Sequence, residues 1–121
     1  FALYDVMYVA PSNSEHVNLP FPLPWADSPE HSFVCSVEGY TKAAEEAGFE
    51  VHTVTDRSQF AREFFEPVQT RISKLQTGTS DPMPLGILLT FGHDALSKMK
   101  NIIDLVQKGT VAPTEIIFTK R

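Results

Sequence analysis

Three segments of the chain have the residue pattern of β-strands. Residues 1–9 are apolar except for one charge, Asp5, and do not alternate with polar residues. Such a run is typical of a strand that is buried on both faces of a parallel sheet. Residues 49–55 alternate and are rich in β-branched side chains, which predicts a second strand. Residues 114–119, after Pro113, predict a third.

A helix is predicted between the first two strands. Ser36 is expected to cap its N-terminus, because a serine hydroxyl accepts an N–H of the first helical turn. Gly48 is expected to end it in a left-handed conformation. A strand, a helix and a strand in this order suggest a right-handed crossover. The inward positions are Val37, Tyr40, Ala44 and Ala47.

Two further helices are predicted between the second and third strands. Asp56 and Gln59 have the spacing of a capping box, and Pro67 is expected to kink or split the helix near residues 63–66. Asp94 is expected to cap the last helix. The short apolar run at 85–91 fits helix or strand. The inward positions are Phe60, Phe64, Val68, Ile72 and Leu75 in one helix, and Leu96, Met99, Ile102, Ile103 and Val106 in the other.

A proline-rich segment, residues 10–35, separates the first strand from the first helix. Its prolines exclude helix and central strand, and loops of this length are often active-site lids. Trp25, with Phe21 and His31 nearby, can wall a substrate pocket. Alternatively, Trp25 holds the loop against the core.

Composition narrows the classes of partner and compartment. The net charge is −5 and no basic stripe is present, so nucleic acid is not an expected partner. No apolar run approaches the roughly 20 residues of a membrane span. The single cysteine, Cys35, cannot form an internal disulfide, which fits a cytoplasmic protein. Its apolar neighbours predict a buried packing residue.

Four stretches of sequence carry a resemblance to a known family. They read LYDV at 3–6, PFPLPWADSPEHSF at 20–33, SVEGYTKAAEEAGFEV at 36–51 and GTVAPTEI at 109–116. Together they resemble the C-terminal part of class I S-adenosylmethionine-dependent methyltransferases, in the family that includes the ubiquinone/menaquinone-biosynthesis enzymes. The likeness covers almost the whole chain, but these motifs are structural landmarks and not catalytic signatures.

The resemblance implies an α/β fold that is the C-terminal piece of a Rossmann-like sheet. Residues 1–9 would be strand five, 49–55 strand six, and 114–119 an antiparallel strand seven between them. Residues 1–121 would form one partial domain, in which the lid loop (10–35) and a helical insertion (56–112) shape the pocket for a small-molecule methyl acceptor. The intact parent would use S-adenosylmethionine as its cofactor.

The cofactor loop of that family has no counterpart in this sequence. Only glycine lets a backbone approach the ligand closely, and the six glycines here are too far apart for a Gly-x-Gly-x-Gly turn. We therefore expect no cofactor bound to this chain alone. Because the chain opens inside an apolar run, we expect it to be a piece of a longer protein.

Candidate substrate-binding residues are few, and no catalytic base stands out. Asp5 would lie near the carboxyl end of its strand, which faces the ligand crevice in open α/β sheets. Alternatively, Asp5 has only a structural role and its carboxylate accepts backbone N–H groups at the strand end. His93 fits a general base or an exposed histidine beside a helix start. The four histidines are too scattered to predict a metal site. The candidates are Asp5, Phe21, Trp25, His31 and His93.

Two expectations concern assembly and an alternative function. Strand five would normally pair with strand four, so its free edge is expected to pair with another copy of the chain. The alternative to a methyltransferase piece is a stand-alone dimeric α+β module that binds a small ligand without catalysis.

Overall fold

A computed structural model gives the structure of residues 1–9, 18–78 and 85–121. The chain is α/β, as predicted, and the short run at 85–91 is helical. The elements are β1 (Ala2–Tyr8), α1 (Val37–Glu46), β2 (Phe49–Asp56), α2 (Ser58–Gln76), α3 (Leu85–Phe91), α4 (Ala95–Gln107) and β3 (Val111–Lys120), with a 3-10 turn at Pro29–His31.

The three strands form one sheet in the order β1-β3-β2. The strand β3 is antiparallel to both neighbours, so β1 and β2 run parallel to each other at the two edges. The predicted position of the last strand, between the other two, is confirmed. It is longer than predicted and contains Pro113 instead of following it.

The strand β1 is only partly buried, and the prediction that it is buried on both faces is wrong. Met7 is its one buried residue, whereas Tyr4 is 57% exposed. Asp5 is exposed as well. The reason is the position of β1 at an edge of the sheet, which leaves part of its surface uncovered among the described residues.

Helix α1 covers one face of the sheet and has the predicted ends. The Ser36 hydroxyl accepts the N–H of Gly39 at 3.1 Å, and Gly48 follows the helix with φ +85°. A small core lies beneath α1, built on the buried residues Met7, Ile116 and Phe118. A bulge at His52 keeps Val51 and Val54 on this side of β2, although they are three residues apart.

A larger core lies on the opposite face, against α2 and α4. The predicted inward residues of α4 are confirmed: Met99, Ile102, Ile103 and Val106 are buried, and Leu96 packs partly buried against them. In α2 the predicted stripe is partly wrong. Its core-facing residues are Ala61, Phe65, Val68 and Ile72, while Phe60 and Phe64 are 65% and 61% exposed.

Pro67 does not split α2, which is continuous from Ser58 to Gln76. Pro67 lies on the exposed side of the helix, so water can satisfy the carbonyl that loses its N–H partner. A split near residues 63–66 is therefore excluded.

The predicted caps of α2 and α4 have a different geometry. Asp56 accepts the N–H of Ser58 at 2.7 Å, but Gln59 donates to Glu63 and not back to the cap. Asp94 precedes α4 without a side-chain cap bond and forms an ion pair with Lys98 at 3.5 Å. Only the first of these carboxylates therefore satisfies a helical N–H.

The described part of the proline-rich loop, residues 18–35, is packed against α4. Leu23 is fully buried in the larger core. Asn101 donates to the carbonyl of Pro22 at 2.8 Å, and Lys98 pairs with Asp27 at 3.0 Å. Residues 10–17 of the predicted lid lie outside the described residues. Cys35 is half-buried, which corrects the prediction of a buried thiol.

Candidate ligand-binding site

A pocket of about 280 Å³ crosses the outer edge of β1 and contains three of the five predicted site residues. Asp5 and Val6 point to opposite faces of the sheet, so a pocket lined by both lies across the strand edge. We call it the edge pocket; it is lined by Asp5, Val6, Trp25, His31, Phe33, Val34 and Tyr40.

Asp5, in the lining of the edge pocket, is held by two donors. The Tyr40 hydroxyl donates to Oδ2 at 2.7 Å, and the Val6 N–H donates to Oδ1 at 2.8 Å. Asp5 lies in the middle of β1 opposite Thr114, so its predicted place at the carboxyl end of the strand is wrong. The predicted alternative, satisfaction by a backbone donor, is present.

Tyr40 remains protonated throughout the physiological range. Desolvation, then the hydrogen bond to Asp5 and the charges of Asp5 and Cys35, raise the pKa of Tyr40 to about 12. The hydroxyl is therefore a permanent donor to the carboxylate.

The loop supplies the aromatic wall of the pocket and its rim. Trp25 packs against the larger core, which confirms that it holds the loop there, and it also lines the edge pocket. Its Nε1–H donates to Ser32 at 3.0 Å, which fixes the indole. His31 is exposed at the rim, with Nδ1 3.1 Å from the Ser28 hydroxyl. Phe33 is 84% exposed.

Phe21 and His93 are not part of this pocket. Phe21 packs against the larger core, on the inner side of the loop. His93 is exposed in the turn between α3 and α4. Both residues were predicted from their neighbours in the sequence. The fold of the loop and the start of α4 place them away from the pocket.

Sequence reasoning missed Tyr40 and Phe33 as site residues. Tyr40 has inward spacing in α1, and a tyrosine on an inward face needs a partner for its hydroxyl. Asp5, the lone charge in an apolar strand, supplies that partner. No comparable signal identifies Phe33.

A second cavity, of about 590 Å³, lies at the carboxyl ends of β1 and β2. In open α/β sheets this is where ligands commonly bind. It runs between β3 and the first turn of α1, and its lining includes Tyr8, Ser36, Asp56 and Thr114. None of the five predicted residues lines it, and its wall mixes apolar, hydroxyl and acidic groups.

The described ranges 1–9, 18–78 and 85–121 contain neither a metal-binding cluster nor a membrane-spanning helix. No three His, Cys, Asp or Glu side chains within them come together in a way that can hold a metal ion. No helix in the same ranges has the length and apolar character needed to cross a bilayer.

Comparison with known proteins does not assign the chain. No model of a known protein family matches it, and no curated protein does.

Proposed function

We propose that these residues form the closing, acceptor-side part of an S-adenosylmethionine-dependent methyltransferase that acts on a small molecule. The observation that supports this most is the sheet order β1-β3-β2, with the antiparallel β3 between two parallel strands. It matches the arrangement of strands five, seven and six in the family that the sequence resembles. On that assignment the edge pocket lies beside the position of strand four.

The glycines of this chain do not fit a site for the cofactor. All six lie inside a helix or within two residues of its end, at positions 39, 48, 78, 86, 92 and 109. A cofactor loop needs glycines in the turn that leads from a strand into a helix. We therefore expect residues 1–121 alone not to bind the cofactor.

The contribution of these residues is to position the acceptor. Methyl transfer gains most of its rate from holding the reacting atoms in line in a site without water. The edge pocket offers a fixed carboxylate and an aromatic wall for this purpose. We assign no dedicated base among its described lining residues.

The test uses the product of the complete open reading frame beside residues 1–121. Its intact mass is measured first, followed by calorimetric binding of S-adenosylmethionine and transfer of a labelled methyl group to a panel of small molecules. We expect a mass above 13.5 kDa, together with binding and transfer by the complete protein only. A complete protein that has the mass of this chain, or that does not bind the cofactor, overturns the proposal.

A stand-alone ligand-binding module is the second candidate. It is favoured by one observation: the edge pocket is assembled by β1, α1 and the loop without any further element. Saturable ligand binding by a complete protein that has the mass of this chain supports the module and contradicts the methyltransferase.

For residues 1–121 alone, both candidates include self-association through the outer edge of β1, whereas in the complete methyltransferase strand four would take this edge. The N–H of Val6 is taken by Asp5 and that of Tyr8 by the carbonyl of Cys35. By strand alternation, the next outward groups are those of Ala2 and Tyr4. Pairing is therefore confined to the first half of the strand.

Tyr4→Pro tests this contact without removing a bond to β3, because the Tyr4 N–H points away from that strand. Light scattering at high protein concentration is expected to give a dimer for the wild type and for Tyr4→Thr, and a monomer for Tyr4→Pro. A monomeric wild type rules out the contact.

A further inference from the structure

The edge pocket combines an acidic group with aromatic side chains, and no lysine or arginine is among its described lining residues. Asp5 contributes the carboxylate, while Trp25, Phe33 and Tyr40 contribute three aromatic rings to the lining. No Lys or Arg among the described residues forms an ion pair with Asp5. We infer that the edge pocket binds a small organic ammonium ion.

The two groups that hold Asp5 are neutral, so its negative charge is not compensated. The Tyr40 hydroxyl and the Val6 N–H each occupy one acceptor position on a different carboxylate oxygen. An ionised carboxylate has about four such positions, so each oxygen can still accept a further donor. The carboxylate is therefore oriented by the protein and available to a cation.

The aromatic part of the lining favours an ammonium over a metal ion. Tryptophan is the best side chain for attraction between a cation and a ring face, and such sites recognise alkylated ammonium groups. The hydrogen bond from Trp25 to Ser32 restrains the indole without using the ring face. Apolar substituents on the ammonium can contact Val6 and Val34.

The volume of the pocket and the net charge of the protein narrow the class of ligand further. At about 280 Å³, the pocket is just below the roughly 300–1,000 Å³ typical of sites for drug-sized ligands, so a small amine fits best. The net charge of −5 attracts cations to the molecule as a whole. Among the described lining residues only His31 has a basic side chain, and it lies at the exposed rim.

As a statement about the methyl acceptor, this inference rests on the proposed function: the acceptor would carry an ammonium group that the pocket holds, and the methyl group would go to a different atom, because an ammonium nitrogen has no lone pair. As a statement about binding, it needs neither the cofactor nor methyl transfer. The two proposals can therefore fail separately.

Choline and its uncharged isostere 3,3-dimethyl-1-butanol test the binding directly on residues 1–121. Trp25 is the single tryptophan, so the tryptophan fluorescence comes from a residue that lines this pocket. We expect saturable choline binding with a Kd on the order of 1 mM, and binding of the neutral isostere at least about tenfold weaker. Choline binding should also weaken with added salt, because the carboxylate is exposed.

Two variants and a control locate the effect. Asp5→Asn keeps an acceptor for Tyr40 and is expected to weaken choline binding about tenfold, with little effect on the isostere. Phe33→Leu removes an exposed ring that is not part of the core, and it should weaken choline binding as well. Glu50→Gln removes one charge on the exposed surface of β2 and should leave binding unchanged.

Equal affinity for choline and the neutral isostere overturns the inference, and so does the absence of a saturable choline response. Choline binding that Asp5→Asn leaves intact overturns the assigned site. A complete protein that binds choline but transfers no methyl group contradicts only the proposed function.

Discussion

The hydroxyl of Tyr40 and the carboxylate of Asp5 are 2.7 Å apart, and their hydrogen bond joins α1 to the edge strand β1. The two residues are 35 positions apart in the sequence. The bond orients the carboxylate of the edge pocket and also ties the crossover helix to the sheet. The same contact therefore affects both stability and the site.

Tyr40→Phe is expected to lower the free energy of unfolding by about 0.5–1.5 kcal/mol at pH 7, the usual contribution of one hydrogen bond. The pKa of Tyr40 is raised from its usual 10.0 to about 12, so the folded state holds this proton more tightly than the unfolded state. The resulting stabilisation is present below about pH 10 and is lost as the pH rises towards 12.

Urea unfolding at pH 8, 10 and 11 measures this effect, with Tyr40→Phe losing less stability than the wild type over the same range. Burial also raises the pKa of Tyr8, but that residue is present in both proteins, so the comparison removes its contribution. Parallel pH profiles for the two proteins contradict the assignment.

Leu23→Ala tests whether the proline-rich loop belongs to the core. Leu23 is fully buried, so its truncation is expected to cost about 2–5 kcal/mol. Phe33→Ala, ten residues further along, is the matched control, because an 84% exposed side chain should change stability by no more than about 0.5 kcal/mol. Thermal and urea unfolding of both variants make the comparison. Similar small losses would mean that the loop packs loosely and can act as a lid.

The sequence predicted the elements of this fold better than their surroundings. The helical periodicity of α4 and the cap and glycine of α1 identified these helices correctly, because short-range chemistry determines them. The exposure of β1 could not be predicted in the same way. An apolar run looks the same whether its strand is covered on both faces or lies at an edge.

Only part of the candidate site could be predicted, because its contacts also depend on tertiary packing. Asp5, Trp25 and His31 come together, but their contact depends on how residues 18–35 fold against α4. Phe60 and Phe64 show the reverse error: their spacing fits an inward stripe, yet Ala61 and Phe65 on the adjacent stripe face the core. When one helix carries two neighbouring apolar stripes, tertiary packing determines which of them faces the core.

Asp56→Ala tests the altered cap of α2. Hydrogen bonds from Ser58 lower the pKa of Asp56 below its usual 3.8, so the folded state favours the charged carboxylate. Its stabilisation is present above that usual pKa and is lost as the pH falls through the lower folded value. At pH 7 the variant should lose about 0.5–2 kcal/mol, as helix-cap replacements do.

Asp56→Asn is the control for this experiment, because the amide oxygen still accepts the N–H of Ser58. It should retain most of the stability at pH 7. The difference between the wild type and Asp56→Ala should shrink as the pH is lowered to 2, which equilibrium unfolding followed by circular dichroism can measure. A difference that does not depend on pH contradicts a role for the ionised carboxylate.

Pro113 lies in the central strand β3, a position where proline normally removes a ladder hydrogen bond. Here its carbonyl accepts the N–H of Arg57 at 2.8 Å, so the nitrogen of Pro113 also points towards Arg57, just beyond the end of β2. The Arg57 carbonyl already accepts the N–H of Ala61 at 3.0 Å, and therefore needs no donor from position 113.

Pro113→Ala should cost only about 0.4–1 kcal/mol of folding stability, because the unfolded chain gains conformational freedom. Glu115→Pro, two residues further along and inside the ladder with β2, should cost clearly more. If Pro113→Ala instead stabilises the protein in urea unfolding, a donor was missing at this position and the account of the strand end is wrong.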